Sequence, residues 1–208
     1  MIPSQEALER LRDGNRRFVS EIRNHVSQSQ TRRLQVVEAQ EPFAIILGCS
    51  DSRVPAEIVF DQGLGDLFVI RVAGNIVAPS QVASVEFAAA RFHTRLVVVL
   101  GHSQCGAVQA TLEELRRPPN DQSRNLGAIV DRIRPAVEGL VEADHGHQPD
   151  VLLHQAVRAN VRVSANHLRH GSSVLEQLIE KENLLVVGAE YSLETGVVDF
   201  FDGVPKLR

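Results

Sequence analysis

Four runs of the chain are apolar at nearly every position: "FAIILG" at 43–48, "LFVIRV" at 67–72, "RLVVVLG" at 95–101 and "LLVVGA" at 184–189. They are short, rich in Val, Ile and Leu, and bounded by glycine or charge, which predicts strands rather than helices. A strand without a polar face cannot look at water on either side, so the four predict a parallel sheet covered by helices on both faces. Helical patterns lie between them. "SQVASVEFAAARF" (80–92) predicts a helix with Ser80 as N-cap behind Pro79, and "CGAVQATLEELRR" (105–117) predicts another, stopped by Pro118 and Pro119. Strand alternating with helix predicts an α/β layer structure.

Outside this alternation the pattern is helical from about Ser123 to Glu182, with Pro135 marking a kink or break inside "GAIVDRIRPAVEGLVEA" and "DHGHQPD" reading as a loop. This stretch, 123–182, reads as a helical insert rather than a second domain. After the fourth strand, "YSLETGVVDFF" sets the turn "LETG" between two apolar runs and predicts a hairpin that adds one antiparallel edge strand. Two amphipathic helices, Gln5 to Ile22 and about Thr31 to Ala39, form an N-terminal arm over 1–40. Leu8, Leu11 and Phe18 give the first of them an apolar stripe that finds no partner in the sequence, so the arm is expected to pack on a second subunit. The expected fold is therefore α/β: a central, mostly parallel sheet of four parallel strands plus an antiparallel edge strand, flanked by helices, in a single domain over 1–208.

Composition narrows what such a fold is for. A net charge of -4 on 208 residues, 43% hydrophobic residues and no block of like charge describe a mildly acidic globular protein with no electrostatic case for nucleic acid or a membrane surface. No apolar run approaches the roughly 18 residues of a membrane span, and the N-terminus has no apolar signal core, so a cytoplasmic location is expected. There the two cysteines stay reduced, and metal binding or catalysis are the usual uses of such thiols.

Their placement matters more than their number. Cys49 follows the first strand through Gly48; His102 follows the third through Gly101, with Cys105 three residues on. Both motifs leave the carboxyl ends of buried strands, which in a parallel sheet share the edge where ligands bind. On neighbouring strands about 4.8 Å apart, two thiolates and an imidazole can converge on one ion. That donor set suits tetrahedral zinc with an open fourth position, the catalytic arrangement. Taken singly, a cysteine after a strand reads equally as a small buried hydrophobe; the paired strand-end placement favours a metal. Asp51 can accept a proton from hydroxide on such an ion and aim it at a substrate, while Arg53 can hold that carboxylate in a bidentate fork, ionised and off the metal. In isolation the same two residues read as a turn cap with a surface ion pair. His25, His93, His145, His147, His154, His167 and His170 read as solvated surface.

With Cys49-Ser-Asp51-Ser-Arg53 and His102-Ser-Gln-Cys105-Gly106 both in view, the chain resembles the β-class carbonic anhydrases, from its N-terminal helices to the closing "VVGAEYSLETGVVDFF". The resemblance implies a zinc enzyme that interconverts carbon dioxide and bicarbonate. One Zn2+ per subunit would be held by Cys49, His102 and Cys105, with a zinc-bound hydroxide oriented by Asp51 and Asp51 held by Arg53. It also implies a plant-type substrate pocket lined by Gln40, Val54, Phe68, Phe87 and Gly106. Gln40 and the apolar groups are implied to come partly from a neighbouring subunit, hence a homodimer or a dimer-of-dimers tetramer. Three positions depart from that branch. Phe87 stands where tyrosine is common, and "RVAGNIV" replaces Arg-Asn-x-Ala-Asn. Ile46 stands where the branch with a second, inhibitory bicarbonate site has a tryptophan, so no such site is expected.

Two other readings fit the same residues. A hydrolase of carbonyl sulfide or carbon disulfide would use the same fold, because those linear molecules share the geometry of CO2. A non-catalytic zinc or redox protein would use Cys49 and Cys105 to sense oxidants. A cysteine phosphatase is excluded, since its phosphate loop needs more residues between Cys and Arg than the three here.

Overall fold

The all-apolar runs form strands, as their lack of a polar face requires: β1 (Ala44–Gly48), β2 (Leu67–Arg71), β3 (Leu96–His102) and β4 (Leu185–Tyr191), with β5 (Val198–Asp202) closing the hairpin. The structure is a computed structural model that describes residues 2–22, 29–116, 124–143 and 148–205. The helices are α1 (Ser4–Val19), α2 (Gln30–Gln35), α3 (Ala56–Val59), α4 (Pro79–Arg91), α5 (Gly106–Leu115), α6 (Arg124–Glu142), α7 (Pro149–His170) and α8 (Ser173–Glu182). The strands assemble in the order β2-β1-β3-β4-β5. β1 to β4 are mutually parallel and β5 runs antiparallel to β4, as the sequence predicts. From β1 the chain steps outward to β2 and then returns to place β3 on the other side of β1. The order therefore reverses between β1 and β3, the point at which open α/β sheets bind ligands.

Alternate side chains of each strand serve opposite faces. Ile46, Val98, Leu100, Val187 and Ala189 meet Ala7, Leu8 and Leu11 of α1 and Phe60 on one side. Ile45, Leu47, Val97 and Val99 meet Val85, Ala88 and Ala89 of α4, Val161, Ala165 and Leu168 of α7, and Leu175 of α8 on the other. A third cluster caps the carboxyl edge of the sheet and joins Cys49 and Cys105 to Val108 and Leu112 of α5, Ile133 and Val137 of α6, and Leu152, Ala156 and Val157 of α7.

The apolar stripe of α1, which finds no partner in the sequence pattern, has one within the chain. Leu8 and Leu11 are buried, and a Cβ added at Gly14 would lie 1.8 Å from the Phe60 carbonyl oxygen, so the two backbones touch. Asn15 completes the seat: its Nδ2 donates to the carbonyls of Val59 (3.1 Å) and Gly196 (2.8 Å), and its Oδ1 accepts from the Val198 N–H (2.9 Å). α2 is shorter than its pattern predicts and buries nothing, leaving Leu34 and Val37 exposed.

Two helix details differ from expectation. α4 starts one residue before Ser80, with Pro79 in its first turn and Ala78 as N-cap, because proline's fixed φ and missing N–H suit that position. α6 runs through Pro135 without a break; the buried stripe of Val130, Ile133 and Val137 holds it against the cluster over the sheet edge and outweighs the lost hydrogen bond. Pro118, Pro119, His25, His145 and His147 lie outside the described residues. No helix among the described residues is long and apolar enough to cross a membrane.

Candidate metal centre

Register brings the ligand loops together. Gly48 pairs with Leu100 across β1 and β3, so the next residues on each strand, Cys49 and then Gly101 with His102, emerge side by side. The ligand atoms of Cys49, His102 and Cys105 all lie within 4.8 Å of one another, and all three residues are buried. Zn–S bonds of about 2.3 Å and Zn–N bonds of about 2.0–2.1 Å ask for such a gathering.

The histidine makes the case for a cation specific. Its Nδ1 contacts the Ser103 carbonyl oxygen at 2.8 Å. A carbonyl only accepts, so in the neutral ring Nδ1 carries the hydrogen and Nε2 keeps a free lone pair, the tautomer that outer contacts impose on metal-binding imidazoles. Nε2 is fully buried and has no hydrogen-bond partner among the described residues. A buried lone pair facing two thiols is an unmet demand that a divalent cation fills.

The charges agree. The hydrogen bond from the Cys105 thiol draws Cys49 well below the ordinary thiol range; burial opposes it, and His102 and the N–H of Gly74 add to the lowering. Cys105 is pushed far up by the same contact with Cys49 and then by burial, so without a cation the pair keeps one negative charge. Burial alone would lower His102, yet the neighbouring Cys49 reverses the sign and raises it. Cys105 is also the N-cap of α5, where the N–H groups of Val108 and Ala107 favour its thiolate.

Asp51 and Arg53 follow Cys49 in one tight turn. Arg53 Nε and Nη2 donate to Asp51 Oδ1 (3.0 Å) and Oδ2 (2.8 Å), and the Arg53 N–H also reaches Oδ1 (3.0 Å). These bonds hold Asp51 far below the usual carboxylate range. The pair therefore stabilises the folded chain above the unfolded carboxyl value of about 3.9 and loses that contribution only as pH falls further. Oδ2 stands 3.8 Å from His102 Nε2, at the edge of the ligand cluster. Arg71, the last residue of β2, braces the turn from below by donating to the carbonyl oxygens of Cys49 (3.0 Å) and Asp51 (2.6 Å).

Val54 and Gly106 share this end of the sheet. The Val54 N–H donates to the Asp51 carbonyl (3.1 Å) and its side chain is buried. A Cβ added at Gly106 would meet no atom within 4 Å, so open space lies over the first turn of α5. Gln40, Phe68 and Phe87 are elsewhere. Gln40 precedes β1 and Cys49 follows it, which sets them at opposite edges of the sheet, about 16 Å of strand apart. Phe68 and Phe87 stack with Phe92, ring centroids 5.6–6.2 Å apart, and Phe87 is 53% exposed. His93, His154, His167 and His170 are exposed as expected, though His154 Nε2 lies 3.4 Å from buried Glu190. Sequence reasoning missed Gly74, Ser103 and Asn160, and left Arg71 without a role. The one available signal was a glycine three positions after Arg71, the charged end of β2.

A family model described as carbonic anhydrase matches residues 44–198. Carbonic anhydrase 2 of Mycobacterium tuberculosis is 39% identical over 194 residues, covering 89% of this chain and 87% of its own length. The carbonic anhydrase of Mycolicibacterium smegmatis is 38% identical over 196 residues, covering 91% and 89%. Among solved structures, the β-carbonic anhydrase CafA of Aspergillus fumigatus superposes with a TM-score of 0.74 at 25% identity, covering 84% of this chain and 82% of the other.

Proposed function

The chain belongs to the carbonic anhydrase family, in its β class, and from that premise we propose that it is a zinc-dependent enzyme of reversible CO2 hydration, with Cys49, His102 and Cys105 as metal ligands and Asp51 and Arg53 as catalytic dyad. The observation that carries this reading is the buried, partnerless Nε2 of His102 between two thiols and an arginine-held carboxylate. Bound by those three residues, zinc would supply the Lewis acidity that makes water nucleophilic near neutral pH.

The chain's own residues do the rest. Asp51, kept ionised by Arg53, accepts a hydrogen bond from the attacking water and turns its lone pair toward the carbon of CO2. Arg53 occupies both carboxylate oxygens, which restrains Asp51 from moving onto the cation. Val54 supplies an apolar wall beneath the turn, and Gly106 leaves room for a linear triatomic molecule. The net reaction balances as CO2 and water giving bicarbonate and a proton that passes to buffer.

Stopped-flow CO2 hydration by the zinc-replete protein tests this at about pH 7 and about pH 8.5, at and above the value of about 7 at which a zinc-activated water ionises. Fast turnover is expected at both, because the dyad is already formed and Asp51 stays charged far below either pH. Absence of turnover at both, with zinc present, would refute the assignment.

Gln40, Phe68 and Phe87 enter the substrate pocket of a second copy in this proposal. Their support is their distance from the ligand cluster of their own chain, together with the exposed Phe87, Leu34 and Val37 on that side. Sedimentation of the purified protein is expected to give a dimer or a doubled dimer, and Phe87→Asp to shift it toward monomer with reduced turnover. An active wild-type monomer would remove these three residues from the pocket.

A further inference from the structure

Asn160 lies on α7, within the helical insert and far in sequence from every motif of the site. It is 1% exposed, and its Nδ2 donates to the Gly74 carbonyl at 2.8 Å. Gly74 in turn donates its N–H to Cys49 Sγ at 3.3 Å. Between those two bonds its backbone is left-handed, with φ at +71°, a conformation that only glycine adopts freely. A side chain is excluded on steric grounds as well: an added Cβ would fall 2.8 Å from Ile133 Cδ1 of α6 and 3.2 Å from the Ala107 Cβ of α5. A glycine this permissive does not hold its own peptide planes. Among the described residues, Asn160 is the side chain that bonds the Gly74 carbonyl, and the Asn75 N–H at the other end of that peptide plane donates to the Val72 carbonyl (3.0 Å); pinning this plane restrains the glycine Cα and, through it, the preceding plane that carries the Gly74 N–H.

We propose that Asn160 is a positioning residue for the metal thiolate: by anchoring the Gly74 carbonyl it restrains rotation at the glycine Cα, helps to keep the Gly74 N–H on Cys49 Sγ and so tunes how strongly that sulfur donates to the cation. The proposal rests on the metal reading above. Two thiolates already cancel the charge of a divalent ion, so an ion in this site has little Lewis acidity to spare. A hydrogen bond to one sulfur withdraws electron density from it and returns part of that acidity to the ion. The helical insert thereby gains a chemical task beyond covering the sheet, since α5, α6 and α7 meet at the one glycine that touches the thiolate.

The test is cobalt(II) substitution of wild type, Asn160→Leu and Leu168→Val. Asn160→Leu keeps the γ-branched outline of the side chain and removes the donor. Leu168→Val loosens the same helix at a fully buried position packed against the sheet, away from Gly74. Asn160→Leu is expected to move the thiolate-to-cobalt charge-transfer band to longer wavelength, because the sulfur becomes more electron-rich. It is also expected to weaken zinc binding by about 10- to 100-fold, the usual effect of losing an outer-shell contact. Leu168→Val is expected to lower the melting temperature and leave band and affinity unchanged. A wild-type band and affinity in Asn160→Leu would overturn the proposal, and so would an equal shift in Leu168→Val, which would reduce the effect to general loosening. Should Asn160→Leu not fold, Asn160→Ser serves the same comparison. Failure of the wild type itself to take up cobalt or zinc would strike the metal reading, and this proposal with it.

Discussion

Asp51→Ala is expected to lower kcat/KM for CO2 hydration by about 10²- to 10⁴-fold, the range a positioned proton-accepting group contributes, while zinc content stays at one per chain. The separation of the two effects follows from the geometry. Asp51 contributes no atom to the three-residue ligand cluster, and both its oxygens are already taken by Arg53, so its loss removes no metal ligand. What disappears is the acceptor that aims the attacking water. Atomic absorption beside stopped-flow kinetics checks both halves, and metal lost together with activity would make Asp51 structural. Arg53→Ala should behave differently. It leaves an unrestrained carboxylate at the edge of the cluster, free to compete with water for the cation, so its deficit should be largest toward low pH, where hydroxide competes least.

Stripping the zinc with a chelator should return the rate to that of buffer alone, and one equivalent of zinc should restore it. The same treatment should cost stability. Three buried donors, one with an orphaned lone pair and two sharing a negative charge, are tolerable in the fold chiefly when an ion joins them. With free zinc a thousandfold above its dissociation constant, binding adds about 4 kcal/mol. In a chain of this size that corresponds to a melting temperature difference on the order of 10 °C. Calorimetry of the stripped and refilled protein measures it. Full activity in protein shown to hold no metal would end the zinc assignment.

The parts of this site that could be read in the sequence are those in which one local rule decides the outcome. Runs such as "AIILG" have no polar face, so they can only be inner strands, and two glycine-led strand ends carrying Cys49 and His102 place the ligands on one sheet edge. Spacing within the Cys49 turn likewise puts Arg53 beside Asp51, since two residues apart in a tight turn is within reach of a guanidinium fork. The unread parts depend on pairs that no local rule joins. Asn160 reaches Gly74 across 86 positions, and nothing in "RANVR" marks its amide as different from any helical asparagine. The seat of α1 was missed for a similar reason: a bare Gly14 lets helix backbone meet the Phe60 carbonyl, a contact written as the absence of a side chain. At Pro135 a local rule was available and gave a break, but packing of Ile133 and Val137 overrode it.

The three hydrogen bonds of Asn15 carry a consequence for synthesis. Two of them join residues 181 and 183 positions apart, so the partners of the first helix at the β4–β5 hairpin are synthesised long after it. Until Gly196 emerges, that amide has only the Val59 carbonyl, and until β4 has emerged the sheet face destined for α1 is incomplete. Folding here is thus closed by segments about 180 positions apart meeting, a contact order that favours slow completion over growth from the N-terminal helix. A nascent chain halted before Gly196 would present α1 and its apolar stripe to whatever chaperone waits at the exit.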